Sequence, residues 1–203
     1  MVIQDGMNRF ERFIKRMFDF LCSFVGLILL SPVFLLVSIS LLLQNKGSII
    51  FSQERIGYKG KPFKIFKFRT MHVDSEHEGM PKLAVKGDER LTKVGKFLRE
   101  HHLDELPQLF NVLIGDMSFV GPRPERKYFI DMIKKETSDY DYIYQMRPGL
   151  TSMATIYNGY TDTMEKMLIR LRMDLDYLQK RSLFLDLKII FTTVLYILTG
   201  KKF

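Results

Sequence analysis

Residues 20–43 are apolar or small and neutral, with no ionisable side chain except Cys22. This run exceeds the ~20 residues that cross a bilayer as a straight helix. A signal peptide fits it poorly: its apolar core is usually ~7–15 residues long, its cleavage site uses small residues, and the first alanine here is Ala84. A soluble core helix this apolar on every side is unusual, so the run predicts membrane embedding. Ser31-Pro32 falls at its middle. Pro32 has no N–H to offer the Ile28 carbonyl, and its ring pushes that turn open. The halves, 20–30 and 32–43, are each ~16–18 Å long as helix, about one leaflet. Arg9, Arg12, Lys15 and Arg16 precede the run, and Lys46, Arg55, Lys59 and Lys61 follow it. Positive flanks favour the cytoplasmic side, and here both ends do. Two readings stand at this point: a helix that enters, breaks and returns, or a spanning helix with a tolerated proline kink.

Elsewhere the patterning is that of a small α-rich unit. Residues 7–19, with Met7, Phe10, Ile14, Met17 and Phe18 among Arg and Lys, predict a basic amphipathic helix on the membrane surface. Residues 48–52 and 62–68 read as short strands around a turn at 57–60. The polar stretch 72–90, with Gly79, Pro81 and Gly87, reads as a loop. A helical period resumes over 92–102, with Val94, Phe97 and Leu98 on one face. A second short helix is expected over 106–114, an extended segment over 117–120, a helix over 126–136, and irregular to extended chain over 146–158. Met164, Met167, Leu168, Leu171, Leu175 and Leu178 repeat at helical spacing, most simply as core. Residues 183–198 are apolar but carry Asp186 and Lys188, which predicts an interfacial or docked helix. The expected division is a membrane-associated segment over 1–45 and a cytoplasmic domain over 46–203.

Composition narrows the class. In 203 residues there are 31 Lys and Arg against 23 Asp and Glu, a formal charge of +8. That balance implies an anionic partner, whether nucleic acid, anionic lipid or a phosphorylated substrate. A single cysteine excludes a disulfide-built module and a cysteine-ligated zinc site. With 46% hydrophobic residues the chain is not disordered.

Three segments carry candidate chemistry. In Leu103-Asp-Glu-Leu-Pro-Gln-Leu109, Pro107 is tolerated only in a first helical turn, so a helix is expected to begin near Asp104. Asp104 and Glu105 then either cap that helix or act on a ligand. An ionised Asp holds Mg²⁺ and can attack phosphorus. In Gly121-Pro-Arg-Pro124 two prolines restrict the backbone around Arg123, which makes either a rigid turn or an aimed guanidinium for phosphate. Phe63-Lys-Ile-Phe-Lys-Phe-Arg69 alternates cations with aromatics, as a half-buried strand or a nucleic-acid surface would. Lys67, Arg69, Arg99, Arg123 and Arg147 together carry enough charge to neutralise a diphosphate. His72, His77, His101 and His102 show no metal-site spacing and read as structural. No P-loop, dinucleotide fingerprint or nucleophile-elbow serine is present.

Taken in order, the Ser31-Pro32 break, Phe66-Lys-Phe-Arg-Thr-Met71, the segment from Leu103 to Leu113, Gly115-Asp-Met-Ser-Phe-Val-Gly-Pro-Arg-Pro124 and Arg147-Pro-Gly-Leu-Thr151 resemble the bacterial sugar transferases, the monotopic phosphoglycosyl transferases. The resemblance covers nearly the whole chain. It implies a mostly helical α+β fold in the family's minimal catalytic form. A re-entrant membrane helix broken at Ser31 and Pro32 would be joined to a small catalytic domain and interfacial amphipathic helices on the cytoplasmic face of the bacterial inner membrane. It implies transfer of a sugar 1-phosphate from a UDP-sugar to a polyprenyl phosphate such as undecaprenyl phosphate, in polysaccharide or glycoconjugate assembly. The family uses Mg²⁺ and a phosphosugar bound covalently to the Asp of an Asp-Glu dyad, with UMP leaving before the lipid attacks. By motif position Asp104 is the nucleophile and Glu105 its partner, both near the metal, and Lys67, Arg69, Arg99, Arg123 and Arg147 are the phosphate-facing cations. UDP-sugar, polyprenyl phosphate and membrane lipid are the expected partners, nucleic acid is not, and a homo-oligomer is left open. The alternative class is a non-catalytic basic membrane module that binds anionic lipid or nucleic acid. The chain departs from the family pattern at one place. Many members follow the Arg-Pro-Gly-Leu-Thr motif with Gly-Leu-Ala-Gln-Val-Asn-Gly-Arg, where this chain reads Ser152-Met-Ala-Thr-Ile-Tyr-Asn-Gly-Tyr160. That bears on sugar identity more than on reaction type.

Overall fold

The computed structural model describes residues 3–44, 47–72, 88–159 and 161–199. Helix α1 (Arg9–Leu29) starts at Asn8, whose side chain accepts from the Phe10 and Glu11 amides while Glu11 accepts from the Asn8 amide, each at 2.9 Å. This reciprocal cap satisfies backbone donors that the first turn would otherwise leave unpaired. The helix then runs past Phe20 without interruption. The expected surface helix and the first half of the apolar run are therefore one element, because neither Pro nor Gly intervenes before Gly26 to stop the ladder. Helix α2 (Ser31–Gln44) follows, and the pair is bent by 59°. The break falls at the expected residues. Pro32 cannot serve the Ile28 carbonyl, and the Ser31 hydroxyl donates to it instead at 2.8 Å. Among the described residues no single helix is long and apolar enough to cross a membrane; this bent pair is so only when taken together.

Helix α1 turns its polar stripe inward. Lys15, Asp19 and Ser23, spaced four apart, are buried, whereas Phe10, Phe13, Phe20, Phe24 and Ile28 are exposed. Arg16 donates to the Val112 and Leu113 carbonyls at 2.6 and 2.7 Å, and the Phe119 amide donates to Asp19 at 3.1 Å. Lys15 meets Asp186 at 2.5 Å, and the Tyr177 hydroxyl donates to the same carboxylate. Buried carboxylates and ammonium groups need such partners.

Strands β1 (Ile50–Ile56) and β2 (Pro62–Phe68) form an antiparallel hairpin in register from Ile50↔Phe68 to Ile56↔Pro62, closed by a 3₁₀ turn at Tyr58–Gly60. The first strand begins at Ile50, two residues later than the expected 48–52, and runs on to Ile56. Helix α3 (Lys93–Glu100) is capped by Thr92 and packs Val94 and Leu98 against Phe68, Val37 and Leu41. Phe97, expected on that face, is instead 53% exposed beside the His101 ring. Most of the expected 72–90 loop, with His77, lies outside the described residues, as do Lys46 and Tyr160.

Helix α4 (Gln108–Ile114) leads to β3 (Ser118–Val120), which pairs in parallel with β4 (Gly149–Thr151). Helix α5 (Lys127–Glu136) lies between those strands in sequence, and α6 (Met153–Asn158) occupies chain expected to be irregular. Six residues are too few for a helical period to be read, although Ser152, which caps α6, is a start signal. Helices α7 (Met164–Lys180) and α8 (Leu183–Leu198) complete the fold. Met167, Leu171, Leu175 and Leu178 are core as expected, with Phe129, Ile130, Ile133, Ile143 and Ile189. Helix α8 buries Asp186 and Ile189 and exposes Phe184, Leu187, Phe191 and Leu198. The architecture is the expected mostly helical α+β arrangement, with two small two-stranded sheets among the described residues.

Candidate active site

Asp104 and Glu105 sit in a 3₁₀ turn, Leu103–Glu105, entered through His102 in the left-handed region at φ 55°. This corrects the expected placement at a helix start. Pro107 has no N–H, so no α-type bond can run from it to the Leu103 carbonyl. The chain winds more tightly, with the Leu106 amide donating to the Leu103 carbonyl, and the α-helical span opens only at Gln108. The carboxylates owe their charge states to neighbours rather than to a helix end.

Those neighbours come from three elements. Strand β2 supplies Lys67, whose Nζ donates to Glu105 Oε1 at 2.6 Å. The turn after β3 supplies Arg123, whose Nη2 lies 3.8 Å from the same oxygen. Helix α3 supplies Arg99, whose Nε donates to the Thr70 hydroxyl at 3.1 Å. Two buried residues hold this frame. Asn111, fully buried, accepts from the Phe66 amide at 3.0 Å and donates to the Lys64 carbonyl at 2.8 Å, pinning β2 to α4. Gly95 lets α3 abut the strand exit, since a Cβ there would stand 1.9 Å from the Thr70 carbonyl oxygen.

The two carboxyls are pushed in opposite directions. Burial raises Asp104 above the ordinary carboxylate range, and the charge on Glu105 adds to that; Lys67, Arg99 and His102 oppose it. Burial would raise Glu105 as well, but the charges on Lys67 and Arg123 and the Lys67 hydrogen bond overcome it and hold Glu105 well below its usual value. Asp104 is 6% exposed and has no hydrogen bond or ion pair with the described residues. A carboxylate so placed, beside cations that are partly committed elsewhere, can meet an incoming phosphate as ligand or nucleophile.

Lys67, Arg99 and Arg123 are thus brought together around the dyad. Arg69 is half-buried at the exit of β2, where its amide donates to the Ile49 carbonyl. Arg147 lies beyond the C-terminal end of α4, its Nε donating to the Gly115 carbonyl at 2.8 Å and its guanidinium 4.8 Å over the Tyr58 ring. The dyad precedes the opposite end of that helix. His102, expected to be structural, is close enough to act on both carboxyls. Asn111 and Thr70 fall within the motifs that carry the resemblance, but nothing in them gives the two residues a role, because those roles exist only once β2 meets α3 and α4.

No group of three or more His, Cys, Asp or Glu able to hold a metal occurs among the described residues. Asp104, with no hydrogen bond or ion pair among the described residues, and Glu105 beside it are the carboxylates that could hold Mg²⁺, which takes one or two carboxylates and completes its shell with substrate phosphate and water.

The dyad thus lies in a tight turn with three basic residues from separate elements around it. The model of the bacterial sugar transferase family matches residues 10–200, and this chain belongs to that family. It is 41% identical over 188 residues to a UDP-N-acetylgalactosamine-undecaprenyl-phosphate N-acetylgalactosaminephosphotransferase of Aeromonas hydrophila, covering 93% of this chain and 44% of the relative. It is 45% identical over 190 residues to a UDP-glucose:undecaprenyl-phosphate glucose-1-phosphate transferase of Klebsiella pneumoniae, covering 93% and 41%. It is 39% identical over 196 residues to the exopolysaccharide production protein PSS of Rhizobium leguminosarum bv. phaseoli, covering 94% and 98%. The chain therefore spans less than half the length of the first two relatives.

Proposed function

We propose that this protein transfers a sugar 1-phosphate from a UDP-sugar to a polyprenyl phosphate at the cytoplasmic face of a bacterial inner membrane. The observation that carries the reading is the buried Asp104 carboxyl, without a partner of its own among the described residues and beside Glu105, Lys67, Arg99 and Arg123. The names of the Aeromonas and Klebsiella relatives supply the substrate class.

In the first step an Asp104 carboxylate oxygen attacks the sugar-bearing phosphorus. The new P–O bond forms as the bond to the bridging oxygen breaks, and UMP leaves with that oxygen and its electron pair. In the second step a phosphate oxygen of the lipid attacks the same phosphorus, and the Asp104 carboxylate is released. Neither step needs a net proton. Attack by an anion on a diphosphate is slow unless charge is offset, and Lys67, Arg99 and Arg123 stand where they would do so. Asp104 and Glu105 would hold Mg²⁺, which supplies further charge neutralisation on the diphosphate. Glu105, ionised through its contact with Lys67, keeps that lysine beside Asp104.

The bent α1–α2 pair is the re-entrant membrane element of this reading, with both ends cytoplasmic. The outward apolar stripe of α1 and the exposed face of α8 support it, since a helix that docks through its polar side leaves its apolar side for lipid. A non-catalytic basic membrane module would leave the dyad and its converging cations without a role.

Incubation with Mg²⁺ and a panel of labelled UDP-sugars, without lipid, tests the reaction. About one equivalent of UMP and a sugar-phosphate mass on the Asp104 peptide are expected, and Asp104→Asn should abolish both while remaining folded. Full activity on adding lipid, with neither UMP nor adduct before it, would leave direct transfer as the mechanism.

A further inference from the structure

Arg123 is 47% exposed at the tip of Gly121-Pro-Arg-Pro124 and faces Glu105. The backbone on either side is held. Upstream, the Gly121 amide donates to the Thr151 carbonyl at 3.1 Å and the Gly149 amide to the Pro122 carbonyl at 3.0 Å. Downstream, the Ile56 amide donates to the Glu125 carbonyl at 3.1 Å, and Arg55 Nη1 to the Pro124 carbonyl at 3.2 Å. The Glu125 side chain, 14% exposed, lies between two cations from distant elements: Arg55 of β1 at 3.6 Å and Arg170 of α7, which donates to its other oxygen. Arg123, Glu125 and Arg170 line one cleft. A largely buried ionic trio adds little stability over apolar side chains of like size, but it specifies direction and spacing. Here the spacing it specifies is that of the chain two residues past Arg123.

We infer that Glu125 is a positioning residue: clamped between Arg55 and Arg170, it sets where Arg123 meets Glu105 and the substrate phosphate. Placement within about 0.5 Å matters for such a contact, and a loop residue reaches it only with support of this kind. The inference rests on the transferase reading above.

A double-mutant cycle on the full chain tests it, read as the UMP-release rate. Glu125→Gln should slow release ~10-fold per folded molecule, beyond any fall in Tm from leaving Arg55 and Arg170 without their carboxylate. In an Arg123→Ala background the same substitution should cost less than ~2-fold, because the residue it acts through is gone. Glu125→Asp, which keeps the charge but shortens its reach, should lie between wild type and Glu125→Gln, and it replaces Glu125→Gln in the cycle if that variant fails to fold. Equal losses in both backgrounds, or a loss that only follows the folded fraction, would overturn the positioning role. If wild type releases no UMP from any UDP-sugar, the transferase reading falls and this inference falls with it; an active wild type with additive losses removes the inference alone.

Discussion

Lys67 Nζ and Glu105 Oε1 meet at 2.6 Å across 38 positions of sequence, and this contact ties strand β2 to the turn that carries the dyad. Both side chains are about a quarter exposed, at 22% and 24%. The bond therefore forms where solvent screens it only partly, and charge-assisted bonds of this kind contribute about 1–3 kcal/mol.

Lys67→Met should lower UMP release at least ~10-fold. Lys67 is the largest influence opposing the burial of Glu105, so without it the Glu105 carboxyl rises toward the ordinary range. A depressed carboxyl contributes stability above its unfolded value and loses it as pH falls through the folded one. The variant should thus lose about 1–3 kcal/mol near neutral pH and little in acid. The acid limb of its activity profile should move to higher pH, and an acid limb unchanged from wild type would show that Lys67 does not set the state of Glu105.

Asp174 makes stability depend on pH in the opposite sense. Burial pushes its carboxyl up to about 7, Glu125 adds to that, and Arg170 opposes it. One of its oxygens is buried without a hydrogen-bond partner among the described residues. Between pH ~4 and ~7 the folded state keeps a proton that the unfolded state has lost, so stability falls as pH rises and levels off above. Asp174→Asn should therefore raise Tm by several degrees near pH ~8 and leave it almost unchanged near pH ~4. The same difference at both values would contradict a raised carboxyl.

The bend at Ser31-Pro32 has a topological consequence. In a Cys22→Ser background, single cysteines at Gln4 and Ser48 should both resist an impermeant reagent added outside intact cells. Gln4 precedes Asn8, the cap of α1, so a cysteine there leaves the cap intact. Pro32→Ala restores an N–H for the Ile28 carbonyl and removes the ring, so part of the population should straighten and expose one probe. Labelling of either probe position from outside, with Pro32 intact, would mean that the segment spans.

Elements written in short-range pattern are legible in the sequence by itself. The Ser-Pro break, the hairpin around Tyr58–Gly60, the core stripe from Met167 to Leu178 and the docked, apolar α8 all appear where local chemistry puts them. Each is set by residues within a few positions: a missing N–H, a turn, a helical period. The family resemblance likewise names Asp104, Glu105, Lys67, Arg99 and Arg123, but as separate motifs with no distances between them.

What only the tertiary structure decided is how those motifs act on one another. The parallel pairing of β3 with β4 closes over a long stretch of chain, so no local pattern encodes it. The charge states of the dyad do not follow from the expected helix start, because Pro107 shifts Asp104 and Glu105 into a tighter turn and burial with Lys67, Arg99 and Arg123 then governs them. The inward-facing Lys15 and Asp19 and the Arg55–Glu125–Arg170 clamp each join residues far apart in sequence. A sequence determines which groups are available within a turn of one another; desolvation and Coulomb interactions depend on distance and burial, and those exist only after the chain has packed.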